Sequence, residues 1–228
     1  WEKEKPLLDE LSKLFEQHRA TNDPAEKKRI YRMIDSVSQI AAQYAIPSEY
    51  DKMVSGIGAK GTNAYTSTER TVYINDIPAN ELERWLVIES ERFGELVLRL
   101  FHTELETVYE EFNMYQDEDW TRVEEAFNSA MFKKHPYGTQ TVIGNPQHLK
   151  NPSMVNIHNY FNNFYVPNNM AMSLSGDLDF EQTIQLVDKY FGKLKKGNPP
   201  VIQHPKEDPI TTPIIKEVFG PQPEFLVL

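Results

Sequence analysis

Apolar residues recur three or four positions apart over the first part of the chain. One such stripe follows Pro6, and a second follows the pair Asp23-Pro24. This spacing places side chains on one face of a helix, and aspartate before proline is typical of a helix start. We therefore predict that residues 6–45 form a hairpin of two helices. Packing alone accounts for both stripes, so the hairpin is interpreted as structural or partner-binding rather than chemical.

Short runs rich in β-branched and aromatic residues predict strands. Two lie close together, at residues 63–66 and 71–74, and an alternating run follows at 169–176. Two further strands are predicted near the C-terminal end, at 214–219 and 225–228. Because strands and helices do not alternate regularly, the pattern indicates an α+β fold with a mixed sheet packed by long helices, not a doubly wound parallel sheet.

The pattern between the two groups of strands is helical. A long stripe runs from residue 80 to 100, with Gly94 as its weak point. The next helix is predicted to begin at Thr103, because Thr103 and Glu106 have the spacing of a capping box. A third helix is predicted to start near Thr121, and His135 is interpreted as a residue at its C-terminal end.

Two carboxylates follow the apolar stripe of the helix that is predicted to begin at Thr103. Glu104 and Glu111 are seven positions apart, so they lie two turns apart on one side, beside Val108. Such acids at the margin of an apolar face can supply an oxygen ligand to a metal, with the second acid as its electrostatic partner. A solvated acidic edge is the alternative, since charged residues mostly occupy surfaces.

A glycine-rich run at residues 56–61 matches the dinucleotide-binding fingerprint G-x-G-x-x-G letter for letter. That fingerprint requires a strand before it and a helix after it. The pattern here has a short helix before the glycines and a strand after them. We therefore interpret the run as a flexible loop that enters a strand.

Composition excludes several classes of function. The 228 residues carry a net charge of −10 without a basic face, which argues against a nucleic-acid partner. The absence of cysteine excludes thiolate zinc sites and disulfides, and no apolar run reaches the length of a membrane span. Because the sequence opens on Trp1 and closes on an apolar run, we expect a piece of a longer protein.

Several blocks of the sequence, taken in order, resemble a known family. The blocks are residues 61–66, 71–74, 104–113, 135–138, 165–170 and 176–177. Together they look like the insulysin, pitrilysin and mitochondrial processing peptidase family of zinc metallopeptidases. The resemblance covers roughly residues 56–195 and implies a metallopeptidase half-domain.

This resemblance implies roles for five residues. In the family, two histidines of an H-x-x-E-H helix bind Zn²⁺ and its glutamate is the general base. The matching positions make Glu111 the third zinc ligand and Glu104 the accompanying acid. Asn63 and Ala64, extended by Tyr65, correspond to the edge strand that binds a peptide substrate by strand addition.

The departures from the family pattern limit what this chain can do. Its six histidines are His18, His102, His135, His148, His158 and His204, and none belongs to an H-x-x-E-H motif. Since catalytic zinc needs three protein ligands, we expect the isolated chain to be inactive and to hold no full complement of zinc. The motif is expected before Trp1 in the parent protein.

The same comparison predicts the domains and partners. Residues 1–50 would be a helical hairpin insertion, and residues 51–228 an incomplete peptidase-like domain. A peptide or protein substrate and a second peptidase-like domain or subunit are the expected partners. A non-catalytic homologue that acts as a scaffold or peptide-binding subunit remains the alternative. The compartment is left open, with an extracytoplasmic site slightly favoured by the larger bacterial relatives.

Overall fold

The computed structural model describes residues 1–221 and has an α+β fold, as predicted. Short 3₁₀ turns occur at Ala79–Glu81 and Pro167–Asn169. The helices and strands, in chain order, are α1 (Lys5–Ala20), α2 (Pro24–Ala42), α3 (Glu49–Gly56), β1 (Lys60–Thr66), β2 (Thr71–Asp76), α4 (Leu82–Gly94), α5 (Phe101–Gln116), α6 (Asp119–Met131), α7 (Pro136–Thr139), α8 (Pro146–Leu149), α9 (Met154–Phe164) and α10 (Phe180–Phe191).

The predicted helical hairpin is confirmed, because α1 and α2 pack against each other along their apolar stripes. The Asp23 side chain accepts a hydrogen bond from the backbone N–H of Ala25 and so begins α2. The buried apolar side chains of the pair are Leu11, Leu14, Phe15, Ile30, Ile34 and Ala41. Burying one such side chain stabilises the fold by about 1.5–3 kcal/mol, so this contact holds the two helices together.

The sheet of the described residues contains β1 and β2, which pair antiparallel across a short loop. Both were predicted, but this sheet is smaller than the mixed sheet that the sequence suggested. Residues 169–176 and 214–219 form no strand, although Met170 has an extended backbone. An extended segment becomes a strand only when its backbone pairs with a neighbour, and spacing along the chain does not report that partner. The predicted strand at 225–228 lies outside the described residues.

Helix boundaries differ from the prediction where the backbone turns sharply. The helix expected to reach residue 100 ends at Gly94, and Leu100 has a positive φ of 52°. Helix α5 then begins at Phe101, so Thr103 lies within its first turn and does not cap it. Similarly, α6 begins at Asp119 rather than at Thr121. The left-handed residue before α5, not a capping box, marks where that helix starts.

The chain divides into two compact units. The first holds Trp1–Leu100 and Pro152–Val201, where α4 packs with α10 and α1 packs with α9. The second holds Phe101–Asn151 and, of the described residues, 202–221; here α5 packs with α6 and α8. The first unit thus contains the helical hairpin together with α9 and α10, which follow much later in the chain. The predicted boundary between a 1–50 insertion and a 51–228 peptidase-like domain stays a prediction.

Candidate peptide-binding edge and acidic helix

Strand β1 presents an open edge. All seven of its residues are exposed, and among the described residues it pairs only with β2. Asn63 lies opposite Ile74, Ala64 opposite Tyr73, and Tyr65 opposite Val72. An unpaired row of backbone N–H and C=O groups can accept another extended chain. The three residues predicted to bind a peptide therefore share one exposed strand, although their role in binding stays a prediction.

The Asn63 side chain forms a hydrogen bond with one backbone N–H group of β1. Its Oδ1 accepts a hydrogen bond from the backbone N–H of Ala64 at 2.8 Å. An N–H satisfied by a side chain is not part of the ladder to β2, so it belongs to the open side of the strand. An incoming peptide that uses this donor would displace the Asn63 side chain. Nearby, the Arg70 guanidinium lies 5.8 Å from the centre of the Tyr65 ring.

Tyr73 anchors the hairpin to the helices of the first unit. Its hydroxyl lies 2.8 Å from that of Tyr165, and its ring meets Phe93 edge-on at 5.4 Å. Burial first, and then the hydrogen bond with Tyr165, raise the pKa of Tyr73 above its ordinary value. A cavity of about 270 Å³ opens here, lined by Tyr73, Arg92, Phe93, Leu96, Ile157, Tyr160, Phe161 and Tyr165. This aromatic cluster was not predicted from the sequence, although the tyrosines and phenylalanines at the end of α9 could have indicated it.

The two predicted acidic residues are exposed on α5. Leu105 and Val108 of the same helix are half-buried, whereas Glu104 and Glu111 lie in solvent-exposed positions. No residue of α5 is fully buried, so the two acids lie beside a half-buried apolar stripe rather than a buried one. Seven residues of helix separate the two acids by about 10 Å along the axis, so they do not share one ligand. Their catalytic and metal-binding roles stay predictions.

The described residues do not by themselves fit a catalytic zinc ion. Within residues 1–221, no three histidine, aspartate or glutamate side chains come together in a way that could hold a metal. Glu111 can offer one carboxylate, but catalytic zinc requires three protein ligands. His135 is not at the C-terminal end of a helix as predicted. It precedes α7, where its Nδ1 accepts a hydrogen bond from the backbone N–H of Tyr137 at 3.2 Å.

Two family profiles match this sequence over adjoining regions. Residues 37–144 match the profile described as "Insulinase (Peptidase family M16)". Residues 155–226 match the profile described as "Peptidase M16 inactive domain". Together the two matches reach from α2 to the end of the described residues and include β1, α5 and α10.

Curated relatives include proteins named as zinc proteases. The zinc protease PqqE of Helicobacter pylori is 27% identical over 206 residues, which are 85% of this chain and 45% of that protein. The β subunit of the mitochondrial-processing peptidase of Saccharomyces cerevisiae is 27% identical over 61% of this chain and 30% of its own length. An uncharacterized zinc protease of Mycobacterium leprae is also 27% identical, over 57% of this chain. The chain thus spans less than half the length of these relatives.

Solved structures share the fold. A protease from Helicobacter pylori superposes with a TM-score of 0.62 at 26% identity, over 69% of this chain and 38% of that one. The first half of the periplasmic protease PqqL from Escherichia coli gives a TM-score of 0.58 at 22% identity, over 64% of this chain and 32% of that one. Among the residues that the structure describes, no helix is both long enough and apolar enough to cross a membrane.

Proposed function

Because this chain belongs to the insulinase family of peptidases, family M16, we propose that it supplies part of a zinc-dependent endopeptidase. That enzyme hydrolyses peptides bound in extended form along β1. The observation that carries the proposal is the open edge of β1, exposed at every position in a chain whose relatives are zinc proteases. The peptide adds as a further strand, with backbone hydrogen bonds that supply affinity and side-chain contacts that supply preference.

Asn63, Ala64 and Tyr65 are the positions proposed to receive the peptide. Their backbone groups on the side away from β2 would pair with the peptide, and the Ala64 N–H becomes available when the Asn63 amide moves aside. The exposed Tyr65 ring offers an apolar surface to one peptide side chain. Strand addition needs no particular peptide sequence, so this step explains binding but not the choice of the cleaved bond.

Backbone methylation of a peptide tests strand addition directly. In an extended peptide the N–H groups alternate between two edges, and only one edge can pair with β1. We expect a fluorescein-labelled peptide of about ten residues to bind this chain in fluorescence anisotropy. N-methylation along one edge should weaken binding at least tenfold, by about 1.4 kcal/mol, whereas methylation along the other edge should not. Equal effects of the two methylated peptides would contradict strand addition.

Glu111 is proposed as a zinc ligand of the complete protease and Glu104 as its accompanying acid. Their support is the matched profile over α5, together with the zinc proteases among the relatives. The other ligands are proposed to lie outside residues 1–221, within which no group of three such side chains could hold a metal. The isolated chain is therefore proposed to be inactive and to bind no stoichiometric zinc. One-to-one zinc binding by this chain alone would contradict the proposal.

The ligand assignment is tested in a polypeptide that joins this chain to an H-x-x-E-H segment of a relative. Glu111→Gln should lower the zinc content and abolish hydrolysis. Glu110→Gln is the matched control, since Glu110 is an equally exposed neighbour on α5, and it should retain both. Unchanged zinc and unchanged hydrolysis in the Glu111 variant would remove that residue from the site.

A non-catalytic scaffold or peptide-binding subunit is the second candidate function. The profile that matches residues 155–226 is described as an inactive domain, which favours this alternative. The two candidates differ in whether the parent protein carries an intact H-x-x-E-H motif. A second peptidase-like domain or subunit is the proposed partner in both, because one solved relative is the first half of a protease. That relative is described as periplasmic, which supports an extracytoplasmic location.

A further inference from the structure

Strand β1 is irregular just before its proposed peptide-binding residues. Its pairing with β2 shifts between Lys60 and Asn63, which is the mark of a bulge. Gly61 has a φ of 59° at this point, a left-handed conformation that glycine adopts readily. A bulge bends its strand and changes where the following side chains point. Whatever holds the bulge therefore determines how residues 63–65 face an incoming peptide.

A directed series of hydrogen bonds starts at this bulge. The Thr62 hydroxyl donates to Oδ1 of Asn75 at 3.0 Å. The Asn75 amide then donates to the Tyr50 hydroxyl at 2.9 Å, and that hydroxyl donates to the Glu89 carboxylate at 2.5 Å. The Tyr50 hydroxyl also lies 3.3 Å from Oδ1 of Asn75, but its single proton serves the shorter bond to Glu89. The three bonds of the series therefore exist together without conflict. We call these four residues, Thr62, Asn75, Tyr50 and Glu89, the relay.

The inner end of the relay is held rigidly on α4. Glu89 is 2% exposed, and its carboxylate lies 3.0 Å from the Arg92 guanidinium. That guanidinium in turn lies over the rings of Tyr50 and Tyr73, 4.3 and 4.4 Å from their centres. A buried carboxylate with charged and hydroxyl partners has few alternative positions. The relay thus runs from a fixed point on α4, through α3 and β2, to the edge strand.

We propose that the relay positions β1 for peptide binding by holding the bulge in a single register. A slip by one residue would turn Asn63, Ala64 and Tyr65 to the opposite faces of the sheet. The sheet alone resists such a slip poorly, because it has two strands and β1 is exposed throughout. The four residues act through the strand, so they are positioning residues rather than catalytic ones. The inference rests on the proposed function only for its consequence, peptide affinity.

Two variants test the relay by different changes. Asn75→Ala removes the central member, and Tyr50→Phe removes one hydroxyl while it keeps the ring that stacks on Arg92. The matched controls are Asn80→Ala and Tyr44→Phe, which alter exposed residues outside the relay. The measurements are hydrogen–deuterium exchange of the full chain and anisotropy with the labelled peptide.

We expect the amides of residues 63–66 to exchange about tenfold faster in both relay variants, in line with the loss of one part-buried hydrogen bond. Peptide affinity should fall by a similar factor, and the controls should behave as the wild type. Exchange at 63–66 that matches the wild type in both variants would overturn the relay. Equal acceleration in α2, where Ile34 is fully buried, would also overturn it, because the effect would then be global destabilisation. If the wild type binds no peptide, the proposed function fails, and the exchange result still decides the relay.

Discussion

Arg99 joins three separate parts of the first unit, and its removal is the sharpest test of how that unit is held together. Its Nε lies 2.9 and 3.1 Å from the two carboxylate oxygens of Glu4, just before α1. Its Nη1 lies 3.1 Å from the carboxylate of Glu49, at the start of α3. The Glu4 side chain is 2% exposed, so its charge depends on Arg99 for compensation. The perturbation is Arg99→Met, which keeps the aliphatic stem and removes the charge.

The expected cost follows from the burial of Glu4. Removing one member of a buried ion pair costs about 3–5 kcal/mol, because the other charge stays buried without a partner. The Arg99 side chain is itself 35% exposed, so water can reach part of the space that the guanidinium leaves. The lower end of that range of about 3–5 kcal/mol therefore applies. We expect Arg99→Met to lower the free energy of unfolding by about 3 kcal/mol. The exposed pair of Arg84 with Glu81 provides the control, and Arg84→Met should cost less than about 1 kcal/mol.

Urea denaturation at pH 7, followed by circular dichroism, measures both variants. With a slope of about 2 kcal/mol per molar urea, a loss of 3 kcal/mol lowers the midpoint by roughly 1.5 M. Adding Glu4→Gln to Arg99→Met should restore part of the loss, because no uncompensated charge then remains buried. Equal midpoints for Arg99→Met and Arg84→Met would refute the reasoning, and so would a double variant that is less stable than Arg99→Met alone.

Three further outcomes are expected. In urea titrations, Ile34→Ala should lower the free energy of unfolding by about 2–5 kcal/mol, because Ile34 is fully buried. Its control is Ile40→Ala, at a 47% exposed position of α2, which should change the free energy of unfolding by less than about 0.5 kcal/mol. Ser153→Ala removes the N-cap of α9 and should cost about 1 kcal/mol in the same assay. Burial raises the pKa of Tyr50 from 10.0 to about 12, so its contribution to stability is complete below pH 10 and is lost as the pH rises through 12. In alkaline titration at 295 nm, Tyr50→Phe should therefore lack one late-ionising tyrosine, and a titration identical to the wild type would contradict the shift.

Local spacing along the chain determined the helices and the hairpin of strands. The stripes of α1 and α2, the Asp23 cap and the β-branched runs of β1 and β2 each involve residues only a few positions apart. Helical contacts join positions three and four apart, so a single sequence contains the whole signal. Local sequence also indicated the family, because the blocks that resemble it are short and occur in the order that the family has.

Tertiary structure alone decided the features that join distant residues. Arg99 meets Glu4 across 95 positions, and Tyr50 meets Glu89 across 39. Residues 169–176 have a strand-like pattern but no strand, since pairing requires a partner that the pattern cannot specify. The exposure of Glu104 and Glu111 likewise depends on what packs beside α5. Residue spacing therefore determines which residues share a face of a helix or strand, whereas the packing of distant segments determines which residues that face contacts.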